Sequence, residues 1–409
     1  MTEQSPIIAP NGFPVARFTE PRALPAWTYR NAELNELEYE ALFRPSWQFA
    51  CHVNQVKKVG DFFTLDLLRD SILILRGKDG ALRAFMNVCR HRGAKLLDGA
   101  GQCKARVTCP YHGWSYNLKG ELAGMPAERT FAGADKKTLG LKPVELEVLC
   151  GLVFIRIIPG GPSLKEMWKD TIHLLEPYRL EEMVPLEEPW IEDWACNWKV
   201  GVDNNLENYH VPIGHPGYHR MLDSDLGGFM NEHGVAGSKS VLKDRLSSNW
   251  SERMYQQMAP DLNEHLPEEA RTSWMFFTMP PNIGIDIYGD SMDVFQFLPK
   301  TAETCTVRYP IFVRPDASRE MKVLRYLNAR INRQVSAEDK ILSERVQLGL
   351  VSHGFEFGPL SSYEGCIHDF HDRVRAACPA AGLAEAPAQG SLRRVNAELL
   401  GADAIRAVG

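Results

Sequence analysis

Two pairs of side chains that could bind a metal lie within residues 87–116. Cys89 and His91 stand one residue apart, and Cys109 and His112 stand two residues apart. Each pair lies in a turn-forming segment, so two loop tips could each present one thiolate and one imidazole to a shared centre. Two Cys and two His suit either a tetrahedral zinc ion or an iron–sulfur cluster in which two His replace two Cys on one iron.

The order and surroundings of these ligands favour the cluster. A common zinc finger groups its two Cys together and its two His together, whereas here the types alternate as Cys-x-His and Cys-x-x-His. The second pair lies within C-P-Y-H-G-W, which resembles the second cluster-binding loop of Rieske proteins, and C-R-H-R-G resembles their first loop. A zinc ribbon remains the alternative that the ligand types alone allow.

A second polar constellation lies in V-G-V-D-N-N-L-E-N-Y-H-V-P-I-G-H, residues 200–215. Its first polar residues recur at helical spacing: Asp203, Asn204, Glu207 and His210. Pro212 and Gly214 then interrupt the helix before His215. Two His five residues apart fit a regular helix poorly, but a helix that breaks between them lets both imidazoles turn to one point. Two His and a carboxylate form the facial triad of non-haem Fe(II) oxygenases.

With both constellations in place, the sequence resembles the terminal oxygenase α subunit of Rieske non-haem iron oxygenases. The resemblance covers the two cluster loops, the segment from N-W-K to Y-H-x4-H, and the C-terminal helices. It implies a [2Fe–2S] cluster on the first set of ligands: Cys89, His91, Cys109 and His112. It also implies a mononuclear Fe(II) held by His210 and His215.

The family's third iron ligand is an Asp on a late helix. The matching stretch is V-S-A-E-D-K-I-L-S-E-R-V-Q-L-G-L, which places this ligand at Asp339. Glu338 is the rival, and either acid could instead be a solvated helix charge.

Glu207 departs from the pattern of many family members, which carry Asp at this position. That carboxylate links the cluster-ligand His of one subunit to the iron-ligand His of the next, and it can accept hydrogen bonds from both imidazoles. Glu here resembles the α-only branch that acts on quaternary ammonium compounds such as carnitine. Glu207 and Asn204 are therefore the expected catalytic residues, and Asn204 and Asn205 are candidate channel residues.

The resemblance also implies how electrons arrive. Electrons cross from one subunit to its neighbour's iron, which implies a ring-shaped homotrimer. The chain carries no nucleotide-binding fingerprint, because Gly99-Ala100-Gly101 lies inside the cluster spacer. A separate reductase, with or without a ferredoxin, is expected to supply electrons from NAD(P)H.

The implied function is the insertion of oxygen from O2 into a small organic substrate. Glu207 and the α-only branch favour oxidative N- or O-demethylation over ring cis-dihydroxylation, which is the alternative. Other classes are an electron-transfer Rieske protein and a zinc-binding interaction protein. A methylated ammonium group could sit in a cage of aromatic rings. The candidate rings are Trp250, Tyr255, Trp274, Phe276, Phe277, Tyr288, Phe295 and Phe297.

The expected fold class is α+β, with a small all-β Rieske domain inserted near the N-terminus of a helix-grip-like catalytic domain with a central antiparallel sheet. Short strand-like runs ending at P-G-G-P define the Rieske domain, residues 45–158. An N-terminal segment, residues 1–44, is expected to pack on the catalytic domain, residues 159–378. Residues 379–409 form a C-terminal tail.

Four element predictions bear on the sites. Periodicity predicts helices over residues 31–47, ended early by Pro45, and over residues 164–178. Residues 316–350 read as one long helix or a broken pair. Residues 222–270 are rich in Gly, Ser and charge, and they predict a long irregular excursion or lid.

Composition excludes several function classes. The chain has 409 residues, 44% of them apolar, and a net charge of −6, which gives no reason to expect nucleic-acid binding. No apolar run approaches the roughly 20 residues needed to span a bilayer. The nine cysteines are an odd number and scattered, and the start M-T-E-Q-S-P lacks a secretory signal. A cytoplasmic protein is expected.

Overall fold

The polypeptide folds into two compact units. The computed structural model describes residues 7–8, 14–15, 23–187, 189–224, 228–355 and 358–408. The smaller unit comprises Arg44–Lys169 and Arg179–Pro185, and the larger unit contains the other described residues, among them Asp170–Tyr178. Most of the Pro-rich segment before residue 23 lies outside the described residues, and so does the last residue of the C-terminal tail.

The smaller unit is built on two antiparallel sheets. In spatial order the strands of the first are Gln48–His52, Leu152–Arg156, Pro143–Leu149, Leu82–Met86, Asp70–Arg76, Asp61–Leu67 and Ala100–Gln102. Those of the second are Leu122–Gly124, Ser115–Asn117 and Arg106–Thr108. Its other elements are the strand Val184–Pro185, the helix Leu164–Met167 and 3-10 turns at Val53–Gln55, Glu128–Thr130, Lys136–Thr138 and Leu180–Glu182. Leu73, Leu75 and Val107 are fully buried in the core that holds Cys89 and Cys109.

The larger unit carries an antiparallel sheet against which helices pack. Six strands follow in the spatial order Ile311–Val313, Ser291–Thr301, Ile283–Ile287, Ser273–Met279, Ala236–Leu242 and Leu222–Ser224. Thr304–Tyr309 pairs with both Ser291–Thr301 and Trp190–Trp194, and Phe229–Met230 pairs with Ala236–Leu242. The helices are Ala32–Glu38, Trp198–Asn205, Val211–Gly214, Pro216–Met221, Trp250–Leu262, Glu268–Arg271, Arg319–Gly349, Gly365–Ala377 and Leu392–Val408. The unit also contains a two-stranded ladder, in which Ile7–Ile8 pairs with Pro14–Val15, and a π-helical turn at Tyr39–Phe43. Its 3-10 turns are Ala26–Tyr29, Ile172–Leu174, Glu176–Tyr178, Ser362–Glu364 and Pro379–Gly382. The predicted α+β class is confirmed.

The helix Trp198–Asn205, called the site helix below, leads into the second polar constellation. It begins where the Asn197 side chain accepts a hydrogen bond from the Lys199 backbone N–H at 2.9 Å. It lies close against the strand Ser291–Thr301, because a Cβ added to Gly201 would stand 2.4 Å from the Phe297 ring. Glycine at this position therefore lets the helix backbone approach the sheet.

A fully buried ion pair fixes the start of the site helix. Lys199 Nζ lies 2.8 Å from a carboxylate oxygen of Glu38, and both side chains are 0% exposed. The Trp198 indole N–H donates to the same carboxylate at 2.9 Å. Burial raises the pKa of Glu38, and the nearby Lys199 ammonium opposes that rise. Each buried charge therefore depends on its partner to offset its desolvation.

The helix Arg319–Gly349, called the long helix below, positions the late acidic pair. Ser318 caps it by accepting from the Met321 N–H at 3.2 Å. Leu324 and Leu327 are buried on one face, at the spacing that an amphipathic helix requires. This face packs with Tyr255 in one apolar cluster, which fixes the helix rotation. The structure has one continuous helix here, as one of the two predicted forms stated.

Two of the four element predictions were wrong, and those for the long helix and for the early helix were right. Residues 164–178 form only the helix Leu164–Met167, followed by 3-10 turns at Ile172–Leu174 and Glu176–Tyr178. Pro177, which has no N–H to donate, disfavours a regular helix over the last of these turns. Residues 222–270 contain the regular elements Ala236–Leu242 and Trp250–Leu262. That strand gains its order from long-range pairing, which local composition does not report. The early helix does end before Pro45.

The buried pair leads to a test of stability. We expect Glu38→Gln to lower the free energy of unfolding by about 3 kcal/mol, because it leaves the Lys199 ammonium buried without a counter-charge. Lys300→Met is the matched control, since Lys300 and Asp193 form an exposed pair with side chains 55% and 54% exposed. It should change stability by less than about 1 kcal/mol. Urea unfolding would check both values, and equal losses would contradict the assigned role.

Candidate active site

The two loops of the smaller unit bring the first set of predicted ligands together. Cys89 and Cys109 are 2% and 3% exposed, and the rings of His91 and His112 lie 4.6 Å apart between centroids. The loops share one geometry. The Cys89 N–H donates to Ala94 O at 2.8 Å, and the Cys109 N–H donates to Trp114 O at 2.7 Å.

Each loop turns back on itself at a glycine in the left-handed region. Gly93 and Gly113 have φ values of 73° and 72°, and each donates its N–H to the carbonyl of the preceding Cys. A side chain with a Cβ is strained in this conformation, which accounts for glycine at the same place in both loops.

The surroundings of the loops suit a metal cluster. His91 Nδ1 is buried and has no hydrogen-bond partner in the described part of the chain. Trp114 stacks on the His91 ring at 4.9 Å, and the Tyr116 hydroxyl lies 3.3 Å from Cys89 Sγ. An orphaned imidazole nitrogen beside two buried thiols is costly unless a cation binds there. The residues present therefore fit an iron–sulfur cluster.

The larger unit brings the second set of predicted ligands to one point. His215 Nε2 lies 2.9 Å from Asp339 Oδ1 and 3.1 Å from His210 Nε2. One ligand atom from each of these three residues lies within 4.8 Å of the other two. This arrangement of two imidazoles and one carboxylate matches the facial triad that binds non-haem iron.

The chain reaches this geometry by breaking its helix twice. The site helix ends at Asn205, a short helical turn spans Val211–Gly214, and Pro216–Met221 forms a separate helix. His210 and His215 stand at the N-terminal ends of the last two segments. The predicted interruption therefore allows the two imidazoles to face each other.

Two further carboxylates hold the imidazoles from behind. His210 Nδ1 donates to Glu207 at 2.6 Å, and His215 Nδ1 donates to Glu338 at 2.9 Å. Each ring therefore directs Nε2 toward Asp339. Sequence reasoning treated Glu338 only as a rival ligand and missed this supporting position. Two consecutive helix residues point about 100° apart, and only the helix rotation decides which of them faces the centre.

The carboxylates also change the proton affinity of the imidazoles. Burial alone would lower the pKa of His210, but the carboxylates of Asp339 and Glu207 outweigh burial and raise it to about 9. The pKa of His215 is raised as well: burial opposes the change, and Asp339 dominates. The same imidazoles lower the pKa of Asp339, although burial acts in the opposite direction. The negative potential that favours these protons also favours a divalent cation.

A cavity of about 170 Å³ opens beside the triad. Eight aromatic residues are part of its lining: Trp190, Trp194, Tyr218, Phe276, Tyr288, Phe295, Phe297 and Tyr309. Four of the predicted rings are among them, whereas Trp250, Tyr255, Trp274 and Phe277 are not. Asn204, Glu207 and both His also line the cavity, so the predicted catalytic residues lie at its wall.

Comparison with protein families decides between the function classes that the sequence left open. The model of the ring-hydroxylating alpha subunit catalytic domain matches residues 152–380, and the Rieske [2Fe-2S] domain model matches residues 46–143. The chain belongs to the Rieske non-haem iron oxygenases. It is the oxygenase component, with a [2Fe–2S] cluster, a non-haem iron and a separate reductase as electron source. The electron-transfer module and the zinc-binding protein are excluded.

Related proteins extend over most of this Rieske oxygenase. The carnitine monooxygenase oxygenase subunit of Escherichia coli (strain K12) is 31% identical, covering 87% of this chain and 91% of that protein. The chloroplastic choline monooxygenase of Beta vulgaris is 29% identical, covering 85% and 75%. A crystal structure of the quaternary ammonium Rieske monooxygenase CntA with L-carnitine has a TM-score of 0.72 at 26% identity, covering 87% and 95%. None of the described helices of this chain is long and apolar enough to cross a membrane.

The positions of the two late acids predict different losses of iron. Asp339→Asn should remove most of the mononuclear iron, because it replaces the only carboxylate that faces both imidazoles among the described residues. Glu338→Gln should weaken iron binding by about 10- to 100-fold yet allow saturation, since it only orients His215. Iron titration followed by elemental analysis would measure both. The visible spectrum of the cluster should stay unchanged, and full iron in Asp339→Asn would contradict the assignment.

Proposed function

We propose that this oxygenase oxidises a small methylated ammonium compound at a carbon bonded to nitrogen, with N-demethylation as the favoured outcome. The aromatic cavity beside the triad carries the proposal, because ring faces attract a cation whose methyl groups leave it no N–H to donate. The relatives add support, since their names concern carnitine and choline. Aromatic cis-dihydroxylation remains the alternative outcome of the test.

The proposed ligands follow from the geometry. Cys89, His91, Cys109 and His112 hold the cluster, and His210, His215 and Asp339 hold the iron. When bound, the iron supplies the centre that activates O2, and the cluster supplies electrons one at a time. Residues 45–158 are the proposed electron-carrying domain, and residues 159–378 are the proposed catalytic domain. Residues 1–44 would pack on the latter, with residues 379–409 as a tail.

The protein side chains have three proposed tasks in the reaction. Glu207 and Glu338 hold the two imidazoles in the tautomer that leaves Nε2 free, because each carboxylate accepts the Nδ1 proton. The aromatic rings exclude water from the cavity and hold the substrate by its charged end. Asn204 lies in the lining and offers an amide to position the rest of the substrate.

Product analysis tests the proposed reaction. Chemically reduced holoenzyme, mixed with O2 and with carnitine, choline or glycine betaine, should release formaldehyde or a hydroxylated product in a single turnover. A parallel series of aryl methyl ethers tests O-demethylation, and an unsubstituted arene tests dihydroxylation. A cis-diol from the arene, with every ammonium compound recovered unchanged, would contradict the proposal.

We also propose that the enzyme is a homotrimer in which Glu207 lies on the electron route. Support comes from the exposed surface near each site. His112 is exposed in the smaller unit, and Tyr209 and Ile213 are 57% and 88% exposed beside Glu207 in the larger unit. Exposed apolar side chains of this kind are typical of surfaces that bind another subunit.

Single turnover tests the role of Glu207. Glu207→Gln should keep the cluster and nearly all of the iron but lose most turnover, because an amide cannot accept equally from two imidazoles. Glu207→Asp should keep part of the activity, since the carboxylate remains and only the length of the side chain decreases. Cluster reoxidation after mixing reduced enzyme with substrate and O2 is the measurement. Parental rates in Glu207→Gln would remove Glu207 from the route, and a mass different from three 46.1 kDa chains would reject the trimer.

A further inference from the structure

Two carboxyl groups of the cavity lining face each other across adjacent strands. Asp286, on Ile283–Ile287, is the direct cross-strand partner of Asp293, on Ser291–Thr301. The Tyr288 hydroxyl donates to Asp293 Oδ2 at 3.0 Å and lies 3.4 Å from Asp286 Oδ2. One hydroxyl therefore bridges two acids that both border the cavity.

This pair opposes the stability of the fold. Two ionised carboxylates directly opposite on neighbouring strands would repel, and both groups are largely removed from water, so the empty pair favours a protonated carboxyl group. Burial raises the pKa of Asp293 to about 7, and burial together with the Asp293 charge raises the pKa of Asp286 well above its ordinary range. Within the described residues, no Lys, Arg or His side chain forms an ion pair with either acid.

The basic residues of the lining are engaged elsewhere. Arg325 donates to the backbone carbonyls of Arg314 and Asp316. Arg333 Nη2 lies 3.1 Å from Glu187 Oε1, and at least half of each of these side chains is exposed to solvent. The counter-charge that Asp286 and Asp293 lack is therefore not supplied by the lining itself.

The location of the pair suits a ligand that reaches the triad. Asp286 and Asp293 line the same cavity as Asp339 of the triad. The rings of Tyr288 and Phe295 line the same wall and offer the apolar contacts that methyl groups need. The cavity thus combines an acidic wall, aromatic faces and the triad.

We infer that Asp286 and Asp293, bridged by Tyr288, form the subsite that reads the positive charge of the substrate. The inference rests on the proposed function and extends it. These two residues would distinguish a cation from a neutral molecule of the same shape. A cation bound between the two carboxyl groups would favour the ionised form of both, so the proton that the empty pair retains is released as the cation binds. The acids are specificity-determining residues, and they do not bind the iron.

Paired probes isolate the contribution of charge. Choline has a quaternary nitrogen where 3,3-dimethylbutan-1-ol has a quaternary carbon, so the two molecules have nearly the same shape but only choline is charged. Calorimetry on the metal-loaded enzyme should give the parent chain at least about tenfold tighter binding of choline than of the neutral probe. Asp286→Asn and Asp293→Asn should each bring this ratio close to one, mainly by weakening choline binding.

Asp290→Asn is the matched control. Asp290 is 1% exposed, lies between the two strands and accepts a hydrogen bond from Tyr255, but it does not line the cavity. It should leave the binding ratio unchanged. Without a probe, Asp286→Asn and Asp293→Asn should melt at or above the parental temperature, because each removes a buried carboxyl group from an unfavourable pair.

The outcomes separate this inference from the proposed reaction. A ratio near one in the parent chain, a parental ratio in both variants, or variants that lose stability or fail to fold would overturn the subsite. A charge-dependent ratio that is lost in the variants, with no oxidation of any ammonium compound, would keep the subsite and reject the reaction. Oxidation of an ammonium compound, with a parental binding ratio in both variants, would keep the reaction and reject the subsite.

Discussion

The geometry of the α-helix is the constraint on which the active site depends. Successive residues turn by about 100°, so two side chains five positions apart on one helix point in directions about 140° apart. His210 and His215 can meet only because the chain leaves the helix between Asn205 and Pro216. The segments on either side of this break must be held in place, and the buried Lys199–Glu38 pair fixes the site helix that precedes it. The long helix supplies the third side chain from a distant part of the sequence.

Carboxylates surround the imidazoles, and their positions give them different tasks. Asp339 faces both Nε2 atoms, whereas Glu207 and Glu338 lie behind the rings and bind Nδ1. A carboxylate in front of a ring can bind a metal, and one behind it fixes the tautomer and strengthens the donor nitrogen. Asp286 and Asp293 contact neither ring and instead line the cavity, where two acids without a counter-charge favour a cationic ligand.

The cluster loops depend mainly on local geometry. Their hydrogen bonds close within a few residues of each Cys, and Gly93 and Gly113 supply the left-handed turns. Local motifs of this kind appear in sequence because each residue's task is set by its near neighbours. The active site differs, since residues 204–215 must meet residue 339 across the core of the larger unit.

The sequence by itself determined the ligand types, the cluster loops, the broken helix before His215 and the α+β class. Each of these follows from local spacing or from residues such as glycine and proline that restrict the backbone. It could not determine which of Glu338 and Asp339 faces the imidazoles, because that depends on how the long helix rotates as its apolar face packs. It also gave no sign that Asp286 opposes Asp293, since cross-strand register is set by pairing along the whole strand. Tertiary packing decides both, because a side chain's neighbours across a core or a sheet come from distant parts of the chain.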